Sequence, residues 1–205
     1  PFERMRLINK AYIFAAVFAA LIGTLAYLGL IPGKDLFLRY GRAKAFFKDP
    51  NVFGPFLVLP AAYLWQRILL GDYRKMAMNA LWLGIICVGV FVSFSRGAWG
   101  HLLLTFIIVY LLNFLLEATP RERIKMIGLA VVGIFALVLG ILGLLMIPQV
   151  ADLFLQRASL VQSYDGGETG RFGRQAWGYA LALNNPLGIG PWQFDQMLVL
   201  EQPHN

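Results

Sequence analysis

The sequence predicts an all-α fold, a polytopic bundle of about five membrane-spanning helices followed by a helical loop on one side. Three observations carry that prediction. The 205 residues are 59% hydrophobic, with a mean hydropathy of +0.64. Only 14% are charged, where soluble domains carry about 25%. Five apolar runs, at about 11–31, 52–70, 76–95, 98–116 and 126–147, each approach the roughly 20 residues needed to cross about 30 Å of hydrocarbon. No signal peptide with a small-residue cleavage site is visible, and the first run is long enough to span rather than to be removed.

Each element follows from local chemistry. The first run is entered through Arg4, Arg6 and Lys10 and leads into a basic loop at 32–51. Asp49-Pro50 opens the second run, Asp as a helix cap and Pro at the first helical position. Pro55 and Pro60 inside that run each remove a helix hydrogen bond and predict a bend. Short junctions at Gly71–Lys75, Ser95-Arg96-Gly97 and Glu117–Lys125 lead to the third, fourth and fifth runs. Gly84, Gly89, Gly140 and Gly143 are expected to allow close helix packing.

After about Pro148, polar residues from Asp152 to Glu168 interrupt the sequence too often for a sixth span. Leu153, Phe154, Leu160 and Val161 predict one apolar face of a short interfacial helix. A turn at Tyr164–Gly170 precedes a second helix expected at Arg171–Asn184 and ended by Asn185-Pro186. Leu187–Trp192 carries glycines for a sharp bend. The expected division is a transmembrane bundle at 1–147 and a loop at 148–205. The chain reads as a piece of a longer protein, with that loop cut at its C-terminal end.

Orientation is set by Lys and Arg in short loops. Nine fall at the end bearing Arg4, Arg67 and Arg121, and nine at the other. The first end is assigned to the cytoplasm because its loops are short basic connectors, while the other carries the long loops. The reverse orientation stays open.

Lys34, Arg39, Arg42, Lys44 and Lys48 then lie on the outer side, against the usual charge bias. Such a cluster suits an anion at headgroup level, a pyrophosphate or the phosphates of membrane lipids. Arg96, at a junction with almost no loop, requires a partner: an acid such as Asp49, a carbonyl or an anionic ligand. A net charge of +7 fits such anions and anionic membrane lipids; nucleic acid is not expected as a partner. His204 lies in a polar setting in the long loop, on the same side as these arginines, and would be neutral near pH 7, which suits a general base; a merely solvated histidine is the alternative. His101 is expected to be a hydrogen-bonded packing residue of the fourth run. The single Cys87 excludes an internal disulfide. No nucleotide-binding, hydrolase or metal-ligand motif occurs, and neither a cofactor nor a metal is expected.

Several stretches taken in order resemble the O-antigen ligase and polymerase superfamily of bacterial polysaccharide assembly. They are Gly41-Arg42, Phe47-Lys48-Asp49-Pro50-Asn51-Val52-Phe53-Gly54, Ser95-Arg96-Gly97-Ala98-Trp99, Gly170-Arg171 with Trp177, Asn185-Pro186-Leu187-Gly188-Ile189-Gly190, and His204-Asn205. The resemblance covers most of the chain and implies a multi-span enzyme of the bacterial inner membrane with its long loop in the periplasm. Its donor would be a glycan on undecaprenyl pyrophosphate, and its acceptor a hydroxyl of lipid A–core or of a growing glycan. It implies that Arg42, Arg96 and either Arg171 or Arg174, with Lys48, hold the pyrophosphate. His204 would deprotonate the acceptor, and Asn51 and Asn205 would support the site. Inversion at the anomeric carbon and independence of metal are implied in the same way. O-antigen ligation is the expected reaction and polymerisation of O-antigen or exopolysaccharide units the alternative. A transporter of anionic or lipid-linked substrates, for which the spans offer little polar lining beyond Asn79, Cys87 and His101, ranks lower, as does a structural membrane subunit.

Overall fold

The computed structural model describes residues 2–71, 73–158, 170–190 and 193, and these are mostly helical. They divide into two compact units, Pro1–Arg157 and Ala158–Asn205, each taken by itself below. The first unit runs through α1 (Phe2–Tyr27), a 3₁₀ turn at Lys34–Phe37, a two-stranded hairpin of β1 (Leu38–Arg39) and β2 (Arg42–Ala43), α2 (Pro50–Phe56), α3 (Val58–Leu70), α4 (Tyr73–Val92), α5 (Arg96–Leu112), α6 (Pro120–Leu145) and α7 (Pro148–Ala158). A π turn at Asn113–Glu117 prolongs α5. The second unit contains α8 (Arg171–Asn184), the range expected for the second loop helix.

Among the described residues, five helical stretches are long and apolar enough to cross a membrane: Glu3–Tyr27, Pro50–Leu70, Lys75–Val92, Arg96–Glu117 and Pro120–Leu145. They correspond to the five apolar runs, with shifted ends. The fifth starts at Pro120 because Thr119 and Glu122 form a capping box, Thr119 N and Oγ1 each donating to Glu122 Oε2 at 2.8 Å. This satisfies backbone donors that would otherwise be orphaned.

The second span is interrupted between its two prolines. α2 stops at Phe56, Leu57 bonds back three residues to Gly54, and α3 resumes at Val58. Pro60 has no N–H to offer the Phe56 carbonyl. Tyr12 of α1 takes over, its hydroxyl donating to Phe56 O at 2.7 Å.

α4 packs against α1 and α3, and α5 against α3 and α2. Within a bilayer the hydrophobic effect does not drive helices together, so small residues that allow close approach carry the packing. Ala16, Ala19, Ala20 and Ala26 of α1 are buried. A methyl group at Gly89 would lie 2.7 Å from Ala20 Cβ. Gly84, Gly140 and Gly143 do not share that role, because a methyl at any of them would meet nothing within 4 Å. α6 touches α3, where Lys125 Nζ donates to Gly71 O at 2.7 Å and caps the C-terminus of α3.

α7 begins under the end of α1. Tyr27 Oη donates to Gln149 O at 3.3 Å, Val150 is fully buried, and the Phe154 ring stacks on Phe91 and Trp99 at 5.8 and 5.7 Å. Leu153 and Phe154 supply the predicted apolar face, turned onto the core of the first unit. Leu160, Val161 and the turn from Tyr164 lie outside the described residues.

Candidate anion-binding site

The loop between α1 and α2 folds back on itself at Tyr40-Gly41, whose φ angles of 53° and 68° give the left-handed two-residue turn that matches strand twist. This turn pairs Arg39 directly with Arg42. Two cations opposed across a ladder repel, and the structure separates their partners. Arg39 Nη1 sits 3.3 Å from Asp49 Oδ2 and donates to Lys48 O at 3.0 Å. Being about one-third exposed, this ion pair is worth less than about 1 kcal/mol. Asp49 also caps α2, its Oδ1 accepting from Asn51 N at 2.8 Å, as the sequence predicts.

Arg42 turns inward. It is only 6% exposed. Nε donates to Ser93 O and Nη2 to Asn51 Oδ1, both at 2.9 Å. Ser93 immediately follows the last residue of α4, where carbonyls lack helical partners and the helix dipole is negative. The guanidinium thus ties the hairpin to the start of α2 and the end of α4.

The α4–α5 turn at the same end of the bundle is unusual. Phe94 is buried with φ 45°, a left-handed conformation that costs a bulky residue about 1–3 kcal/mol. Its ring is held among Tyr27, Phe91 and Trp99 at centroid distances of 5.5, 5.8 and 6.1 Å. Ser93 Oγ donates to Val90 O at 2.7 Å and accepts from Ser95 N at 3.3 Å. Ser95 then caps α5, accepting from Ala98 N. The twist delivers Arg96, half-buried, to the first position of α5. Cations are disfavoured at helix N-termini, so Arg96 and the first-turn amides form a positive end that an anion would offset.

α2 is pressed against this turn. A methyl at Gly54 would fall 2.6 Å from Ala98 Cβ and 2.9 Å from Ser93 Oγ. Only glycine lets the helix carrying Asn51 approach closely enough for Asn51 to meet Arg42.

Of the residues singled out from sequence, Arg42, Asn51 and the junction bearing Arg96 are therefore brought together. Lys48 contributes its backbone carbonyl to Arg39 and leaves its side chain exposed. His101 is exposed on α5, which corrects the expectation of a packed histidine. Arg171 opens α8, with Arg174 half-buried one turn on. Gly188 and Gly190 have φ of 83° and 93°, as the glycine-bearing bend requires. His204 and Asn205 lie outside the described residues. Among the described residues, no three His, Cys, Asp or Glu side chains gather where they could hold a metal ion. Sequence reasoning missed Ser93 and the left-handed Phe94; the two serines flanking Phe94 were the available signal.

Comparison with family models, with curated proteins and with solved structures returns no match.

Proposed function

We propose that this chain is part of an inner-membrane glycosyltransferase that moves a glycan from undecaprenyl pyrophosphate to an acceptor hydroxyl, as in ligation of O-antigen to lipid A–core. One observation carries the proposal. Arg42 bonds to the Ser93 carbonyl at 2.9 Å, three residues before Arg96 at the N-terminus of α5. The Arg42 guanidinium is therefore anchored in the same turn that opens α5 at Arg96, beside the positive end of that helix. Such preorganised positive charge stabilises a developing phosphate leaving group.

In the proposed reaction the acceptor oxygen attacks the anomeric carbon. The bond from that carbon to the pyrophosphate oxygen breaks with inversion, and undecaprenyl pyrophosphate leaves. His204 takes the hydroxyl proton, and Arg171 or Arg174 from the long loop adds to the clamp. Periplasmic placement of the loop and use of lipid A–core as acceptor belong to the same proposal.

The test is transfer by the purified protein in liposomes, supplied with undecaprenyl-pyrophosphate-linked glycan and lipid A–core. Arg96→Glu should abolish donor use, and His204→Ala should lower turnover while sparing donor binding. Full activity in both variants would sink the proposal. Chain extension on a lipid-linked acceptor, with lipid A–core ignored, would identify a polymerase.

A further inference from the structure

The loop that carries Arg42 does a second thing at its far end. Ala45 has φ 45°, and Phe47 N bonds back to Lys44 O at 2.9 Å, so 44–47 forms a tight turn aimed at α1. The turn drives two aromatic rings down the helix. Phe46 stacks on Phe18 of α1, with centroids 5.8 Å apart and planes within 6°, and Phe47 packs on Phe56 at 4.7 Å. Between them opens a groove of about 360 Å³, lined by Ala15, Phe18, Ala19, Phe46, Phe47 and Phe56. Its wall is almost wholly apolar.

Depth and charge say what fits. Phe18 lies about 13 Å of helix below the end of α1 at Tyr27, at a rise of 1.5 Å per residue. With α1 crossing a membrane and Tyr27 at its edge, that is acyl-chain depth below a headgroup layer. Lys44 and Lys48 flank the two phenylalanines in sequence. Lys44 Nζ is fixed by donating to Leu36 O at 2.6 Å, which uses one of its three hydrogens, and the Lys48 side chain is exposed. Long lysine stems carry their charges up to the headgroup level. Neither ammonium belongs to the cluster of Arg42, Asn51 and Ser93.

We propose that this groove is a binding site for one anionic phospholipid, an acyl chain lying between Phe18, Phe46 and Phe56 and the phosphate meeting the Lys44 and Lys48 ammoniums. A compact monoanionic phosphodiester suits two lysine point charges rather than a guanidinium fork. The volume, at the low end for ligand sites, accommodates a single chain. A protein partner needs about 800 Å² of surface per side, which this groove does not offer. The proposal assigns Lys48 to this lipid rather than to the pyrophosphate clamp that the family resemblance implies, and does not require glycan transfer.

Native mass spectrometry of the purified full chain tests it, with palmitoyl-oleoyl phosphatidylglycerol and palmitoyl-oleoyl phosphatidylcholine added in turn. The wild type should hold one phosphatidylglycerol about tenfold more tightly than phosphatidylcholine. Lys48→Gln, alone or with Lys44→Gln, should erase most of that preference. Ala15→Trp, at an exposed position on α1, should fill the groove and weaken both lipids alike. Equal affinity for the two lipids in the wild type, or binding unchanged in Ala15→Trp and Lys48→Gln, would overturn the proposal. So would an Ala15→Trp protein that loses undecaprenyl phosphate yet keeps phosphatidylglycerol, since the groove would then belong to a polyprenyl chain.

Discussion

Arg42 shows how one side chain fixes a local structure and its charge together. Hydrogen bonds of 2.9 Å join it to a carbonyl beyond the end of α4 and to an amide oxygen on α2; Asn51 is exposed and can turn to water, but Ser93 is fully buried, so truncation strands its carbonyl. A buried group stranded in this way costs about 1–3 kcal/mol. Arg42→Ala should therefore lower the thermal midpoint of the purified protein and, under the proposed function, cut transfer by about 100-fold. Arg42→Lys separates the two effects. The charge stays, but a lysine cannot present two donors in a rigid plane, so stability should recover part of the loss while transfer stays low. Transfer equal to wild type in Arg42→Lys would show that the fork is irrelevant to the anion. Tyr12 gives a purely structural comparison. Tyr12→Phe keeps the ring against Phe56 at 5.0 Å but removes the hydroxyl that donates to the Phe56 carbonyl, which Pro60 cannot serve. A loss of about 1 kcal/mol is expected in detergent unfolding, with transfer unaffected; no loss would mean that another group replaces the hydroxyl.

At the scale of elements, the site exists because α2 can lie against the α4–α5 turn. Gly54→Ala inserts a methyl 2.6 Å from Ala98 Cβ and 2.9 Å from Ser93 Oγ. The helix must retreat, at an overpacking cost of about 1–3 kcal/mol, and take Asn51 with it. Gly84→Ala is the matching control, because nothing lies within 4 Å of the added methyl and its effect should stay within about 0.5 kcal/mol. Comparable melting temperatures for the two variants would refute the close-approach account. The contrast between these glycines marks where the sequence stops being legible. Run length and hydropathy reveal that a helix forms, and Asp49-Pro50 reveals where one of them starts; the start of α6 at Pro120, six residues before the apolar run, was not read from Thr119-Pro120. A glycine in an apolar helix does not reveal whether it faces a neighbour, since that depends on rotation about the helix axis. The hairpin was hidden for a different reason. Leu38–Arg39 and Arg42–Ala43 are two residues each, too short for any alternation to register, and Tyr40-Gly41 is a weaker turn signal than Asn-Gly. Arg42 stood out as a basic residue in a loop, but its burial came from long-range partners at Asn51 and Ser93.

At the scale of the whole molecule, the odd number of membrane-length helices among the described residues is the consequential feature. If all five cross, the hairpin with Arg42 and the long loop with Arg171 and Arg174 open on the same side of the membrane. Loop charge does not fix which side, because nine basic residues fall at each end; the sided statement therefore needs its own experiment. Cys87 is the single cysteine, so a Cys87→Ser background accepts reporter thiols one at a time. Lys48 in the hairpin region, Gln175 on α8 and Arg121 at the start of α6 all have exposed side chains. A membrane-impermeant maleimide applied to intact cells should label Lys48→Cys and Gln175→Cys alike, and Arg121→Cys only after permeabilisation. The reverse pattern for all three would keep the five spans but turn the site toward the cytoplasm, removing the periplasmic acceptor from the proposed reaction. Opposite labelling of Lys48→Cys and Gln175→Cys would be more damaging. One membrane-length helix would then fail to cross, with α6 the foremost candidate because almost none of its span is buried against the rest of the chain. The arginines of α8 would lie a membrane's thickness away from Arg42, and no pyrophosphate could be held by both.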